Sequence, residues 1–216
     1  MNSITRKIFV TGATGYIGSR LIVELSKRNY VVRALVRRKN LNIGCETVLG
    51  NPLSNETYKS AVDGFDTFIH LVGVSHPNPA KKEQFHSVDY VSIRESVKAA
   101  LSAAINHFIY ISVAHPAPIM KDYIMIRKEC EQMIIESGLN ATILRPWYVL
   151  GPGHRWPYLL IPFYKILEKL PSTKETAQRL GLVTINQLIA AMCQVIVNPA
   201  ERIRIISVNE IKNPGF

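Results

Sequence analysis

The sequence predicts an α/β protein: a doubly wound, mostly parallel sheet with a small helical and aromatic elaboration toward its C-terminal end. Three observations predict it. Short apolar runs alternate along the chain with stretches of helical spacing, glycines gather at the first strand-to-helix turn, and no internal repeat or low-complexity linker breaks the order. With 216 residues, 47% hydrophobic and 19% charged, the chain can bury one good core, so 1–216 is read as a single domain.

The elements follow in order. Lys7–Thr11 is an apolar run that reads as the first strand, and 16–28 set Ile17, Leu21, Ile22 and Leu25 at helical spacing. Val31–Val36 is the second strand, which completes a βαβ unit. A short strand at Glu46–Leu49, a helix near 56–62 and the apolar run 67–72 come next. A longer helix is expected over 88–104, a strand at 108–112 and a helix around 123–137. The strand 141–145, the helix 186–197 and the strand 203–208 close the series. Such alternation implies parallel strands joined by right-handed crossovers.

The stretch TGATGYIG, 11–18, lies at the first of these turns. Gly12 permits a sharp exit from the strand, Gly15 lets a diphosphate approach the backbone, and Gly18 lets the helix pack closely on the sheet. With Ala13, Thr14, Tyr16 and Ile17 between the glycines, the turn aims the free N–H groups of the helix start at an anion. It reads as a nucleotide-binding turn.

Composition narrows the partners. The formal net charge of +10 favours anionic ones, but the basic residues are scattered, Arg37, Arg38 and Lys39 being the densest group. No nucleic-acid module is recognisable, so no nucleic-acid partner is expected. Cys45, Cys130 and Cys193 lie far apart without CxxC spacing, and the six histidines form no ligand pattern, so no metal site or disulfide is expected. His70 reads as a core residue rather than an acid/base. No run of about 18 uncharged apolar residues occurs, and the opening MNSITRK leads into a strand, so a cytoplasmic location is expected.

The spacing GxxGxxG, rather than GxGxxG, resembles the extended and atypical branches of the short-chain dehydrogenase/reductase family. These are NAD(P)-binding Rossmann proteins that include NAD-dependent epimerases and dehydratases, NmrA-like redox sensors and the accessory subunit of respiratory complex I. IHLVG (69–73), FIYIS (108–112), Tyr123 and LRPWYVLGPG (144–153) stand in the family's order, so the resemblance covers nearly the whole chain. It implies a dinucleotide held by the glycine turn, by Leu71, Val72 and Gly73 after the fourth strand, and by Pro146.

The family's second strand ends at the adenosine ribose. Here Arg37 and Arg38 stand there, and no acidic residue occurs before Glu46, which implies NADP, with NAD the alternative. Asn51 and Pro52 occupy the place of the family's Gly-Asp-hydrophobic motif beside the adenine.

The family's chemistry uses a Ser or Thr, a Tyr, and a Lys four residues after the Tyr. The match is Ser112, Tyr123 and Arg127, with Val113 where relatives carrying a serine pair have the working serine. Tyr123 therefore has two readings, a catalytic acid/base or a structural and cofactor-contacting tyrosine. Beyond Pro152, residues 152–180 are read as a substrate- or lid-like segment. Trp147, Tyr148, Trp156, Tyr158, Phe163 and Tyr164 can wall an apolar cleft, while 156–170 can instead meet a membrane surface or a protein partner, or simply cover the core. Two functions follow: an NADP(H)-dependent oxidoreductase on a small apolar carbonyl-type substrate, or a non-catalytic NAD(P)-binding sensor or accessory factor.

Overall fold

The structure is a computed structural model that describes residues 5–38, 41–152 and 180–215. Most of the 152–180 segment, with Trp156, Tyr158, Phe163, Tyr164 and the stretch 156–170, lies outside the described residues, as does Lys39.

Seven parallel strands form the main sheet in the order β3 (Glu46–Leu49), β2 (Val31–Val36), β1 (Lys7–Thr11), β4 (Thr67–His70), β5 (His107–Ile111), β6 (Ala141–Leu144) and β9 (Ile203–Ile206). The order reverses at β1, so the carboxyl ends of β1 and β4 flank a crevice, the usual place for a ligand in such sheets. The expected doubly wound α/β fold is therefore the one observed.

Both faces of the sheet are buried, as parallel strands require. Ile8, Val10, Ile69, Ile109 and Leu144 point to one core with α1 (Tyr16–Lys27) and α5 (Ile185–Val197). The alternate residues Phe9, Phe68 and Phe108 stand in register and pack ring on ring, 5.2 Å apart at each step, in a second core with α3 (Val91–Ser102) and α4 (Lys121–Glu136). β7 (Tyr148–Leu150) and β8 (Leu182–Thr184) form a separate parallel pair, and α6 (Val208–Lys212) ends the described elements.

Three expectations need correction. The helix near 56–62 is instead two 3₁₀ turns, Asn55–Thr57 and Lys59–Ala61. Between them Tyr58 takes φ −148 and buries its ring against Phe9, 6.0 Å away, which a continuous α-helix would not allow. The helix over 88–104 starts earlier, with the turn α2 (Lys82–Gln84) and a π-helical segment, Phe85–Tyr90, before α3. The last strand stops at Ile206 because Ser207 caps α6, its hydroxyl accepting from the Glu210 N–H while Glu210 accepts from the Ser207 N–H.

All three cysteines are free, with Cys130 and Cys193 buried and Cys45 partly so. Among the described residues no helix is long and apolar enough to cross a membrane.

Candidate functional site

The glycine turn divides its tasks as the spacing implied. Gly12 has φ +76, and a Cβ there would lie 2.6 Å from the carbonyl carbon and oxygen of Leu71, so the turn presses directly on the end of β4. A Cβ on Gly18 would collide with the Gly12 carbonyl oxygen and the Ala13 backbone, which ties the first turn of α1 to the loop. Gly15 differs from both. Its backbone is extended, with φ −76, and an added Cβ would meet only Gly12 O, at 3.2 Å, a far milder contact than those at Gly12 and Gly18, so its missing side chain chiefly leaves space. No side chain caps α1 at Gly15, which leaves the N–H groups and positive dipole end of the helix to the crevice.

That crevice is a cavity of about 720 Å³, within the usual range for small-molecule and cofactor sites. The turn (Gly12, Gly15, Tyr16, Ile17, Gly18), the loop after β4 (Leu71, Val72, Gly73), Pro146, and the pair Tyr123 and Arg127 all line it, as do Ser112 and Val113. Ile119, Met120, Trp147 and Val149 add an apolar wall. His76 (φ +49) and Met120 (φ +57) hold left-handed backbone on that wall, a conformation non-glycine residues rarely adopt. Other expected contacts lie outside the cavity lining. Ala13 is buried in the core beneath the turn, Thr14 is exposed, and Arg37 and Arg38 are exposed just past β2. Asn51 spends its side-chain oxygen on the Leu53 N–H, 3.0 Å away, so its carboxamide builds the local turn beside the buried Pro52.

Tyr123 and Arg127 share the inner face of α4. Arg127 is committed in several directions at once: Nη1 donates to the Tyr110 hydroxyl at 2.9 Å and to the Ile111 carbonyl at 3.0 Å, and Nη2 pairs with Asp89 at 2.6 Å. The Tyr123 ring centre lies 5.0 Å from the guanidinium carbon. Burial opposes the charge on Arg127, but Tyr110, Tyr123 and Asp89 outweigh it and hold the guanidinium protonated. Burial pushes the Tyr123 phenol up from its ordinary value, with Arg127 pulling against it. Arg127 Nε is buried without a hydrogen-bond partner among the described residues, so an acceptor oxygen of a ligand in the cavity is a suitable partner for it.

Sequence reasoning missed Asp89. Its carboxylate also accepts from the Val74 N–H at 3.1 Å and so fixes the loop after β4. The available signal was positional: Phe85, Ser92, Ile93 and Ser96 share its buried side, and a carboxylate among them calls for a buried cation.

Ser112 lines the same cavity as Tyr123 and lies near the buried Glu131. Glu131 accepts from Arg145 Nε at 3.0 Å and pairs with His115 at 3.5 Å. Burial works against its charge, yet the bonds from His115 and Arg145 hold its carboxyl below the ordinary value. Val113 is buried in the cavity wall and brings no donor. His70 bonds Ser96 at 2.9 Å and Thr11 at 3.2 Å, and burial with the nearby Arg127 charge lowers it to about 3, so it is a neutral core residue as expected.

A doubly wound sheet with a glycine turn opening on a cavity at its switch point defines a dinucleotide-binding protein. The chain belongs to the NAD(P)H-binding family, which matches residues 12–155, and its relatives are short-chain dehydrogenase/reductase and epimerase-type Rossmann proteins. It is 26% identical over 170 residues, 67% of its length and 51% of the relative's, to the 4-hydroxy-2-methyl-3-oxo-4-farnesyl-3,4-dihydroquinoline-1-oxide ketoreductase of Stigmatella aurantiaca. It is 22% identical to the ceramide reductase of Caulobacter vibrioides over 97% of this chain and 66% of that protein. The chain thus spans only half to two thirds of these relatives. In fold it resembles the Bordetella bronchiseptica enzyme WbmH in complex with NAD+, with TM-score 0.70 and 19% identity, covering 96% of this chain and 79% of that one.

Proposed function

We propose that the cavity is the active site of an NADP(H)-dependent reductase acting on a small, apolar carbonyl compound, built on a single domain. One observation carries the reading: a single cavity joins the glycine turn, the Tyr123 phenol and the apolar wall of Ile119, Met120, Trp147 and Val149. The dinucleotide's diphosphate fits over Gly15, where a Cβ would stand, and its nicotinamide ribose suits the unpartnered Arg127 Nε. NADP rather than NAD is supported by Arg37 and Arg38 at the end of β2. The first acidic residue after them, Glu46, is already paired with Arg33 at 3.0 Å. An apolar substrate is in keeping with the ketoreductase of a farnesylated quinoline oxide and the ceramide reductase among the relatives.

A reduced nicotinamide supplies hydride when bound. Tyr123 then holds the substrate oxygen by a hydrogen bond and gives it a proton as the carbonyl is reduced, regaining one from solvent. The aliphatic and aromatic wall excludes water from that oxygen. Loss of NADPH absorbance against a panel of aldehydes, ketones and quinones tests the reading; turnover lost in Tyr123→Phe supports it, and an inert panel contradicts it.

A second reading, a dinucleotide-binding sensor or accessory factor without turnover, is favoured by two specific features. Arg127 is already paired with Asp89, and Val113 brings no donor to the cavity wall.

A further inference from the structure

Asp89 and Arg127 come from different elements, the π-helical segment and α4, and meet beneath Gly73 with 2% and 7% of their surfaces exposed. A buried ion pair is a poor stabilising device, since apolar side chains of similar volume often do as well. This one is built into the cavity wall. Through it the loop after β4 (Val74 N–H to Asp89), the end of β5 (Ile111 carbonyl to Arg127) and the helix of Tyr123 are joined.

We propose that Asp89 is a positioning residue of the candidate site: its carboxylate pins and compensates Arg127 and, together with burial, keeps Tyr123 facing the cavity as a neutral hydrogen-bond donor. The proposal rests on the reading of the cavity as a reductase site and adds the direction of its chemistry. A neutral phenol serves reduction, in which the side chain gives a proton, better than oxidation, in which it takes one.

The surroundings support the assignment. The ionisable groups around Arg127 and Tyr123 are Asp89 from the π-helical segment, His70 from β4, Tyr110 from β5 and Cys130 from α4. His70 is held neutral, and burial raises Cys130 to about 12 and Tyr110 well above its ordinary value, which leaves Asp89 as the carboxylate of the group; burial pushes its carboxyl up too, with Arg127 and the Val74 N–H pulling against it. Phe85 packs its ring 5.1 Å from that of Tyr123 and keeps water from that side. With Asp89 at 2.6 Å, the phenol meets a dipole; without it, a full positive charge one helical turn away.

The test is a pH titration of tyrosinate ultraviolet absorbance in the full chain without cofactor or substrate. Wild type, Asp89→Asn and Asp89→Asn/Tyr123→Phe are compared. In Asp89→Asn one phenol is expected to ionise about one pH unit or more below any in the wild type, and that transition should vanish when Tyr123 is Phe. An Asp89→Asn titration like the wild type, or an early phenol that survives Tyr123→Phe, overturns the proposal. Should Asp89→Asn fail to fold, Asp89→Asn/Arg127→Gln, which removes both charges, is expected to fold and to titrate like the wild type. A double variant no more stable than the single one, or one with an early phenol, also overturns it. Because no dinucleotide or carbonyl is present, these results are independent of whether the cavity supports turnover.

Discussion

A Cβ on Gly73 would stand 2.5 Å from Nη2 of Arg127 and 3.0 Å from Oδ1 of Asp89. The glycine is there to admit the ion pair, because its φ lies outside the left-handed region that only glycine favours. Gly73→Ala should therefore act through the pair and not through the backbone. Expected are a loss of about 1–3 kcal/mol in urea unfolding and weaker NADPH binding, as the guanidinium leaves its hydrogen bonds. An alanine variant as stable as the wild type would mean that the pair shifts freely.

Two buried histidines contribute to the response to mild acid. His70 is lowered to about 3 and His107, bonded to Thr142 at 2.8 Å, to about 4, burial being the largest cause for each. The folded protein keeps both neutral, while the unfolded chain takes up protons below the ordinary histidine value of about 6.5. The stability they contribute is thus present above that value and is lost as pH falls toward the folded values. At about pH 5 each should cost about 2 kcal/mol. Urea midpoints at neutral pH and near pH 5 check this; His70→Gln should lose less on acidification than the wild type.

How much of this was legible beforehand depended on whether a residue's signal was local. The strands of the main sheet are apolar runs such as IFVT and TFIH, and they were readable because both faces are buried. β7 and β8, three residues each, exist through their pairing with one another and leave no pattern. The glycine turn and the Tyr123 and Arg127 spacing were equally plain. Asp89 was hidden because an acidic residue on a helix ordinarily faces water, and only the tertiary packing of the π-helical segment turns it inward.

Cofactor preference should follow Arg37. Loss of a charge-assisted contact to the 2′-phosphate costs about 1.5–3 kcal/mol, so Arg37→Ala should narrow the preference for NADPH over NADH by about tenfold or more. Calorimetric titration with both dinucleotides reads it directly; equal affinities in the wild type would remove the basis for assigning NADP.

Val113 places an inert side chain in the cavity wall where the family resemblance expects a donor. A correctly placed donor to a developing oxyanion is worth roughly a hundredfold or more in rate. Val113→Ser should therefore raise any carbonyl reduction measured by NADPH oxidation, while Tyr123→Phe abolishes it. A serine variant no faster than the wild type would show that the position does not reach the reacting oxygen.

The central claim, that the glycine turn and the cavity above it hold the dinucleotide, is tested most directly at Gly15. Its extended backbone is open to other residues, and an added Cβ meets only Gly12 O, at 3.2 Å, a tight contact that asks for a shift of a few tenths of an ångström, so Gly15→Val is expected to change the cavity far more than the fold. Calorimetric titration of NADPH into the wild type should show saturable binding at one site, and Gly15→Val, with an unchanged circular dichroism spectrum, should show none. Normal NADPH binding by the folded Gly15→Val variant, or no binding by the wild type, would contradict it.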